Sequence, residues 1–533
     1  MRIKYKILLS AMTLLGGVPL AFIPLTACAS APFKKLVKEL KNHPEYQGTK
    51  LDFKGYDGVP DYSVYVHNND VVNQLRSKYI SEDQITPLIS IPNVTITTEN
   101  KNGHTFIPAA DVDASQGTNY DAIWVRDSIW GYYALLAQDQ VETAKNVLLG
   151  QCDYFASAAQ KQRINIICHN PELINDPQNG QMNAVHIRFN ADSSTFDDVQ
   201  ENGKPQSWNH KQNDALGLFL DALLTGVKNG TIVASDITSV RMDAVVGLVE
   251  YLYKVKFWLM EDSGAWEEAQ RLNTSSVGIV VSAIESLTAI PAENTWFWNS
   301  FNTEATTLGY TDLDTNNRTE TLNKMKDYGY KLIHTQIKLG GESPNYPTND
   351  KRYRTADAAL LNLIYPAKLS QLTIEEKEKV FHIVSTLMTD WGIKRYQNDN
   401  YQSGNFWFNQ IKTDTDSSSI AKRDQDFIEG SEASWFFDSW MAHDAILLAS
   451  EDATNQDFYN SLATMYFNRS LAFITGNGLH GDGTPCHASS LPESYNVIVD
   501  AKNWWRVPSP IDPLNWAKSS FVLMNDVIKN ILP

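Results

Sequence analysis

Along most of the chain, apolar residues recur three and four positions apart, the spacing that gathers side chains on one face of a helix. The stretch 128–149 carries Ile129, Tyr132, Leu135, Leu136, Val141 and Val147 in such a stripe. The same period predicts helices over 214–227, 236–259, 276–290, 319–339, 356–369, 373–389, 424–449, 457–474 and 515–531. Strand patterning is sparse. Residues 62–80 read as a helix, and 86–98, rich in β-branched residues, as short paired strands. The connection 152–206 is polar throughout, with Asn, Asp, Pro and Gly, and so long a connection usually carries function. Polar loops bearing aromatic residues fall between alternate pairs of helices. The pattern predicts an all-α fold, helical hairpins closed into an (α/α)6 barrel behind a short mixed lead-in. A two-layer helical solenoid is the competing arrangement. The expected organisation is a targeting segment at 1–31, a lead-in at 32–110 packed on the barrel, and one domain at 111–533.

The amino terminus departs from this pattern. Arg2, Lys4 and Lys6 precede an apolar run to Ala27, the layout of an export signal. Leu25-Thr26-Ala27-Cys28 is similar to a bacterial lipobox, which would lipidate Cys28; Ala27, Ala29 and Ala31 also permit ordinary cleavage. Either route exports the protein to the envelope or the medium. No later stretch is apolar for long enough to span a bilayer.

Charge narrows the partners. The chain of 533 residues has a net charge of −17, which disfavours nucleic acid and anionic membranes. With 14 Trp and 23 Tyr, it suits a neutral ligand with apolar faces, such as a sugar, and equally a large aromatic core. Of the four cysteines, Cys152 and Cys168 are the nearest pair and the expected disulfide. His480, Asp482 and His487 hint at a metal, but the glycine-rich run around them reads as an ordinary loop.

Candidate chemistry sits in the loops that open the helices. Asp262-Ser263-Gly264-Ala265-Trp266-Glu267-Glu268 puts two carboxylates beside a Trp, just ahead of a buried helix. An aromatic wall raises a carboxyl pKa and lets it hold a proton. Trp124-Val125-Arg126-Asp127 offers a donor and an acceptor side by side, the arrangement that grips adjacent hydroxyls, although Asp127 is also placed as a helix cap. Trp208 through Asp214, Arg395 through Trp407, and Pro492-Glu493 repeat the form: aromatic or polar cluster, then helix.

These segments, from about Tyr120 onward, resemble the catalytic domain of the glucoamylase family of glycoside hydrolases and the related domain of phosphorylase kinase α and β subunits. The resemblance implies Glu267 as general acid and Glu493 as general base. It implies Glu268 as a ligand of substrate hydroxyls, Arg126 and Asp127 as the grip on the terminal glucose, and Arg395 as a further sugar ligand. Tyr120, Trp208, Trp266 and Trp407 correspond to substrate-binding aromatics, with Tyr120 beside the base. Two departures stand out. Gly264 occupies a place where the family often has Asp, and Asn209-His210-Lys211 replaces a Gly-Arg-Pro run.

What the resemblance implies is an exo-acting, inverting hydrolase of α-1,4-glucans, monomeric, with no cofactor and no metal. Glu267 would stay protonated, and Glu493, in a polar setting, would stay ionised. A non-catalytic glucan-binding module is the first rival; it has no need of both Glu267 and Glu493. A polysaccharide lyase is the second, and an acidic donor–base pair suits that chemistry poorly.

Overall fold

The computed structural model describes residues 30–111, 120–409 and 420–532. The proposed export signal, including Cys28, lies outside them. Six elements form an inner ring: the helices Val125–Ala137, Asn213–Asn229 and Thr274–Thr288, the 3-10 segment Ala358–Leu363, and the helices Asp438–Glu451 and Asn515–Ile528. Each packs on the next, and the last packs on the first. Asn213–Asn229 and Thr274–Thr288 are buried nearly all round, as a helix enclosed by others must be. At Gly217 a Cβ would lie 2.9 Å from the Val280 backbone nitrogen, so the missing side chain lets these two helices touch. Amphipathic helices such as Val141–Phe155, Arg318–Leu339 and Ile374–Ser385 pack outside the ring and turn charged faces to water, while Gln456–Ala472, also outside it, is largely buried. The predicted (α/α)6 architecture is therefore the one adopted.

Several local expectations fail, each for a physical reason. Residues 62–80 begin as the strand Tyr62–Val66, paired with Thr49–Phe53. Residues 86–98 begin inside the helix Glu82–Ile89, and the nearest strands are Glu99–Lys101 and His104–Phe106. In both, tertiary packing overrides local propensity. The stripe over 128–149 is two helices, broken where Asp139 turns to φ 58°. The polar connection contains the helix Ala158–His169. The inner element near 356–369 is only a 3-10 segment ahead of Pro366, which has no N–H to extend it. A five-stranded antiparallel sheet also forms, its hairpin Ser494–Asp500/Asn503–Pro508 starting directly after Glu493. The expected disulfide is absent: Cys152 and Cys168 are free, buried thiols directed at separate carbonyls, Arg241 O and Gly247 O.

The lead-in is tied to the ring. Tyr79 donates to Asn468 Oδ1 at 2.7 Å, Asn68 Nδ2 donates to the Thr475 carbonyl at 3.0 Å, and Ala110 bridges to Leu514.

Candidate active site

The amino-terminal ends of the inner elements converge on one pocket. Tyr120, Trp124, Arg126, Asp127, Trp208, Trp266, Glu267, Arg395 and Glu493 all line it. Carboxylates spread along more than 200 residues of sequence thus meet in one cavity. Helix starts also bring their partial positive charge and unpaired N–H groups to this end of the ring.

Glu267 terminates the 3-10 turn Gly264–Trp266 and lies in the left-handed region, at φ 58° and ψ 36°. A non-glycine residue held there costs about 1–3 kcal/mol, and such strain concentrates at functional sites. Its loop is held from behind: Asn209 Nδ2 donates to the carbonyls of Glu267 at 2.9 Å and Glu268 at 3.3 Å. Lys211 Nζ donates to Gln270 at 2.6 Å, and His210 stacks on His186 at 3.6 Å. The run Asn209-His210-Lys211 therefore braces the acidic loop. Gly264 also has a local cause. Its φ is +59°, and a Cβ there would lie 2.7 Å from Asn273 Nδ2. Asn273 in turn donates to buried Asp262, which also accepts from the Asn213 backbone.

Glu493 faces the same cavity. Tyr120 Oη donates to its Oε1 at 2.9 Å, Gln402 Nε2 donates to its Oε2, and the Tyr401 hydroxyl lies 2.9 Å from that of Tyr120. Burial pushes the Glu493 carboxyl up to about 7, against the opposing pull of Tyr120, Gln402 and Arg395. Arg126 lines the pocket between helix starts. Its Nη1 donates to Gln212 at 2.8 Å and Asp214 at 3.1 Å, and its Nη2 donates to Glu267 at 3.1 Å. Asp127, beside it, is raised to about 7 by burial, and the charges of both Glu267 and Glu493 bear on the same patch.

The low setting expected for Glu493 is not what the free pocket holds, since burial lifts its carboxyl. Glu267 meets the Arg126 guanidinium as well as the Trp266 wall. The local sequence could show neither effect, since Arg126 is 141 residues from Glu267.

Glu268 points away from Glu267 into a basic cluster. It accepts from Arg395 Nη2 at 2.8 Å, Tyr396 Oη at 2.6 Å and Arg354 Nη2 at 3.4 Å. Burial alone would raise it, but Arg395, Arg354, Arg423 and Arg271 outweigh burial and hold it at about 2. Trp266 donates to Asp357 at 2.8 Å, which fixes its ring as a wall. Arg188 covers Trp208 at 3.9 Å and Trp124 at 4.6 Å.

Trp407 is a correction. It is not among the pocket-lining residues. Its indole donates to Asn496 Oδ1 at 2.8 Å, and Asn496 donates to Gln402, which holds Glu493. It buttresses the Glu493 loop from behind. The sequence reading also passed over Tyr401, Gln402, Arg423, Trp435 and Trp516, which line the cavity or hold Glu493. Gln402, at φ 57°, was open to detection only through its neighbours in the Asn400–Phe406 cluster.

Among the described residues, no helix is long and apolar enough to cross a membrane. Two solved structures share the fold. A glycosidase solved in complex with glucose matches with a TM-score of 0.51 at 12% identity, over 84% of this chain and 96% of its own. The glucoamylase of Saccharomycopsis fibuligera matches with a TM-score of 0.50 at 15% identity, over 87% and 98%. Among curated sequences, the uncharacterized lipoprotein YgeQ of Escherichia coli (strain K12) is 43% identical over 214 residues, 39% of this chain and 80% of that protein. The putative protein YgeP of the same strain is 52% identical over 69 residues, 13% of this chain and 70% of that protein. The family model "Glycosyl hydrolases family 15" matches residues 96–486, so it takes in Glu267 and stops just short of Glu493, which the geometry then supplies. With that match across most of the chain and a carboxyl pair in one ring-end pocket, the chain belongs to the glycosyl hydrolases of family 15.

Proposed function

We propose that the protein is an exo-acting α-1,4-glucosidase of the glucoamylase type, which releases β-glucose from the non-reducing ends of starch, glycogen or maltooligosaccharides. The observation that carries this reading is that Glu267 and Glu493 line one Trp-rich pocket at the end of the ring. Glu267 donates a proton to the leaving glycosidic oxygen. Glu493, aligned by Tyr120 and Gln402, takes a proton from a water that attacks the opposite face of the sugar. An inverting pair of this kind stands roughly 6.5–9.5 Å apart to admit that water.

Substrate binding completes the charge arrangement. Arg126 donates to Glu267 in the free pocket, and sugar hydroxyls that recruit Arg126 and Asp127 free Glu267 to face the glycosidic oxygen. Arg395 and the walls Tyr120, Trp208 and Trp266 hold the ring, and Glu268 bears on it through Arg395, which donates to its carboxylate. The protein works as a monomer and needs no cofactor.

A lipobox-like Cys28 and a relative named as a lipoprotein support an exported, lipid-anchored enzyme. In this reading 1–31 is the targeting segment, 32–110 the packed lead-in and 111–533 the catalytic domain. Incubation with maltooligosaccharides and glycogen tests the activity: free glucose is the expected product. Sugar binding without turnover would replace the proposal with a glucan-binding module, and inertness toward glucans with release of an unsaturated uronide from a uronate polysaccharide would replace it with a lyase.

A further inference from the structure

Behind the base lies a second cluster that hydrolysis does not use. His480 and Cys486 sit at the ends of a hairpin, Gly478–Leu479 paired with Pro485–Cys486. Asp512 approaches from the segment before the last helix. The His480 Nε2 nitrogen is 3.1 Å from Asp512 Oδ2, and the Cys486 Sγ is 3.8 Å from the same oxygen. One ligand atom from each of the three residues lies within 4.8 Å of the others. His480 and Cys486 are both buried. For a tetrahedral ion with Zn–N and Zn–O bonds near 2.0 Å and Zn–S near 2.3 Å, ligand separations come to about 3.3 Å and about 3.6 Å. The measured distances already approach those values.

A second observation points the same way. The Tyr495 hydroxyl is buried and has no hydrogen-bond partner, and the charges that act on it come from Cys486 and Asp512. A buried hydroxyl without a partner destabilises the fold, because the water it lost on burial is not replaced. A water on a metal's open fourth position would give it one. Two of the three residues are oriented from outside: Thr484 Oγ1 lies 3.1 Å from His480 Nδ1, and Ser490 Oγ donates to Asp512 Oδ1. The Cys486 thiol also lies 3.5 Å from the Gly476 carbonyl and 3.6 Å from that of His487, contacts that a thiolate bound to a metal would give up.

We propose that His480, Cys486 and Asp512 form a structural site for one zinc-type divalent cation, with water as the fourth ligand. The thiolate selects zinc over the hard oxygen-loving cations. Binding releases the Cys486 thiol proton to solvent, so affinity rises with pH. The site has a structural role that the sequence leaves obscure. It pins the 478–486 hairpin to the segment on which Glu493 rests, since the Glu493 N–H donates to the Ile511 carbonyl at 2.9 Å, next to Asp512. Of the residues His480, Asp482 and His487, which the sequence places in this loop, only His480 contributes. Asp482 instead accepts from Thr484 within the turn.

The test uses the full chain, stripped with chelator and titrated with Co²⁺. A thiolate-to-cobalt charge-transfer band should grow to saturation at one ion per chain and be displaced by Zn²⁺. Zinc should also raise the melting temperature of stripped protein. Cys486→Ser should abolish the band, and a Cys152→Ser/Cys168→Ser variant should keep it. Absence of the band in the wild-type chain, or its survival in Cys486→Ser, would overturn the site. The wild-type titration decides the matter even if Cys486→Ser fails to fold.

Discussion

Tyr120→Phe isolates the device that poises the base. In the wild type, burial lifts Glu493 to about 7 while Tyr120 Oη, at 2.9 Å, and Gln402 donate to its carboxylate and oppose the rise. A hydrogen bond to a charged group contributes about 1.5–3 kcal/mol, and one pKa unit corresponds to about 1.4 kcal/mol. Removing one of two donors, with Gln402 left in place, should therefore raise the Glu493 pKa by about one unit. The sign follows from what the donor stabilises: less support for the anion means a higher pKa. The base works ionised, so the acid limb of kcat/KM, which reports groups of the free enzyme, should shift upward by about one unit. At pH well below the limb, activity should then fall about tenfold against wild type, and the gap should close above it. The assay is the pH dependence of kcat/KM on maltotetraose, with circular dichroism to confirm folding. A limb that stays put, moves down, or drops equally at every pH would refute this account of Glu493.

Three further outcomes follow from the same geometry. Glu267→Gln should lose hydrolysis by on the order of 10²–10⁴-fold while maltooligosaccharide binding, measured by calorimetry, persists; wild-type turnover would remove Glu267 from the acid role. Glu493→Gln should stabilise the fold at alkaline pH: the folded pKa is raised above 4.5 to about 7, so this group's contribution is lost as pH climbs through that window, a penalty of up to about 3 kcal/mol that Gln does not incur. Equal melting temperatures for variant and wild type at pH 8, with equal ones at pH 4, would contradict it. Gly264→Asp, which restores the residue frequent in the family, should destabilise by roughly 1–3 kcal/mol in urea unfolding, because φ there is +59° and Asn273 Nδ2 stands in the way of a Cβ.

The fold was legible because its period is long and repeated. Inner helices such as Thr274–Thr288 announce themselves by unbroken apolar runs that no surface helix could carry. The site was legible where a motif is local: Arg126 with Asp127, and Trp266 with Glu267, line the same pocket, although the adjacent Glu268 turns to the basic cluster. Trp407 shows the limit, since a Trp after Asn405 and Phe406 reads the same whether it faces a sugar or backs the loop that holds Gln402. Charge states lay further out of reach. The partners that hold Glu268 low, Arg395 and Arg354, arrive from distant loops, and desolvation of Glu493 depends on the closed ring. The thiols misled for a similar reason: Cys152 and Cys168 are close in sequence, but each is turned toward a different carbonyl of the Ser239–Lys254 helix.

The most direct test of the central claim is the anomeric form of the first glucose released. Proton NMR of maltotetraose hydrolysis, read before mutarotation sets in, should show β-glucose, because water guided by Glu493 attacks the face opposite the bond that Glu267 protonates. α-Glucose as the first product would mean a covalent intermediate and contradict the assignment of the two carboxyls.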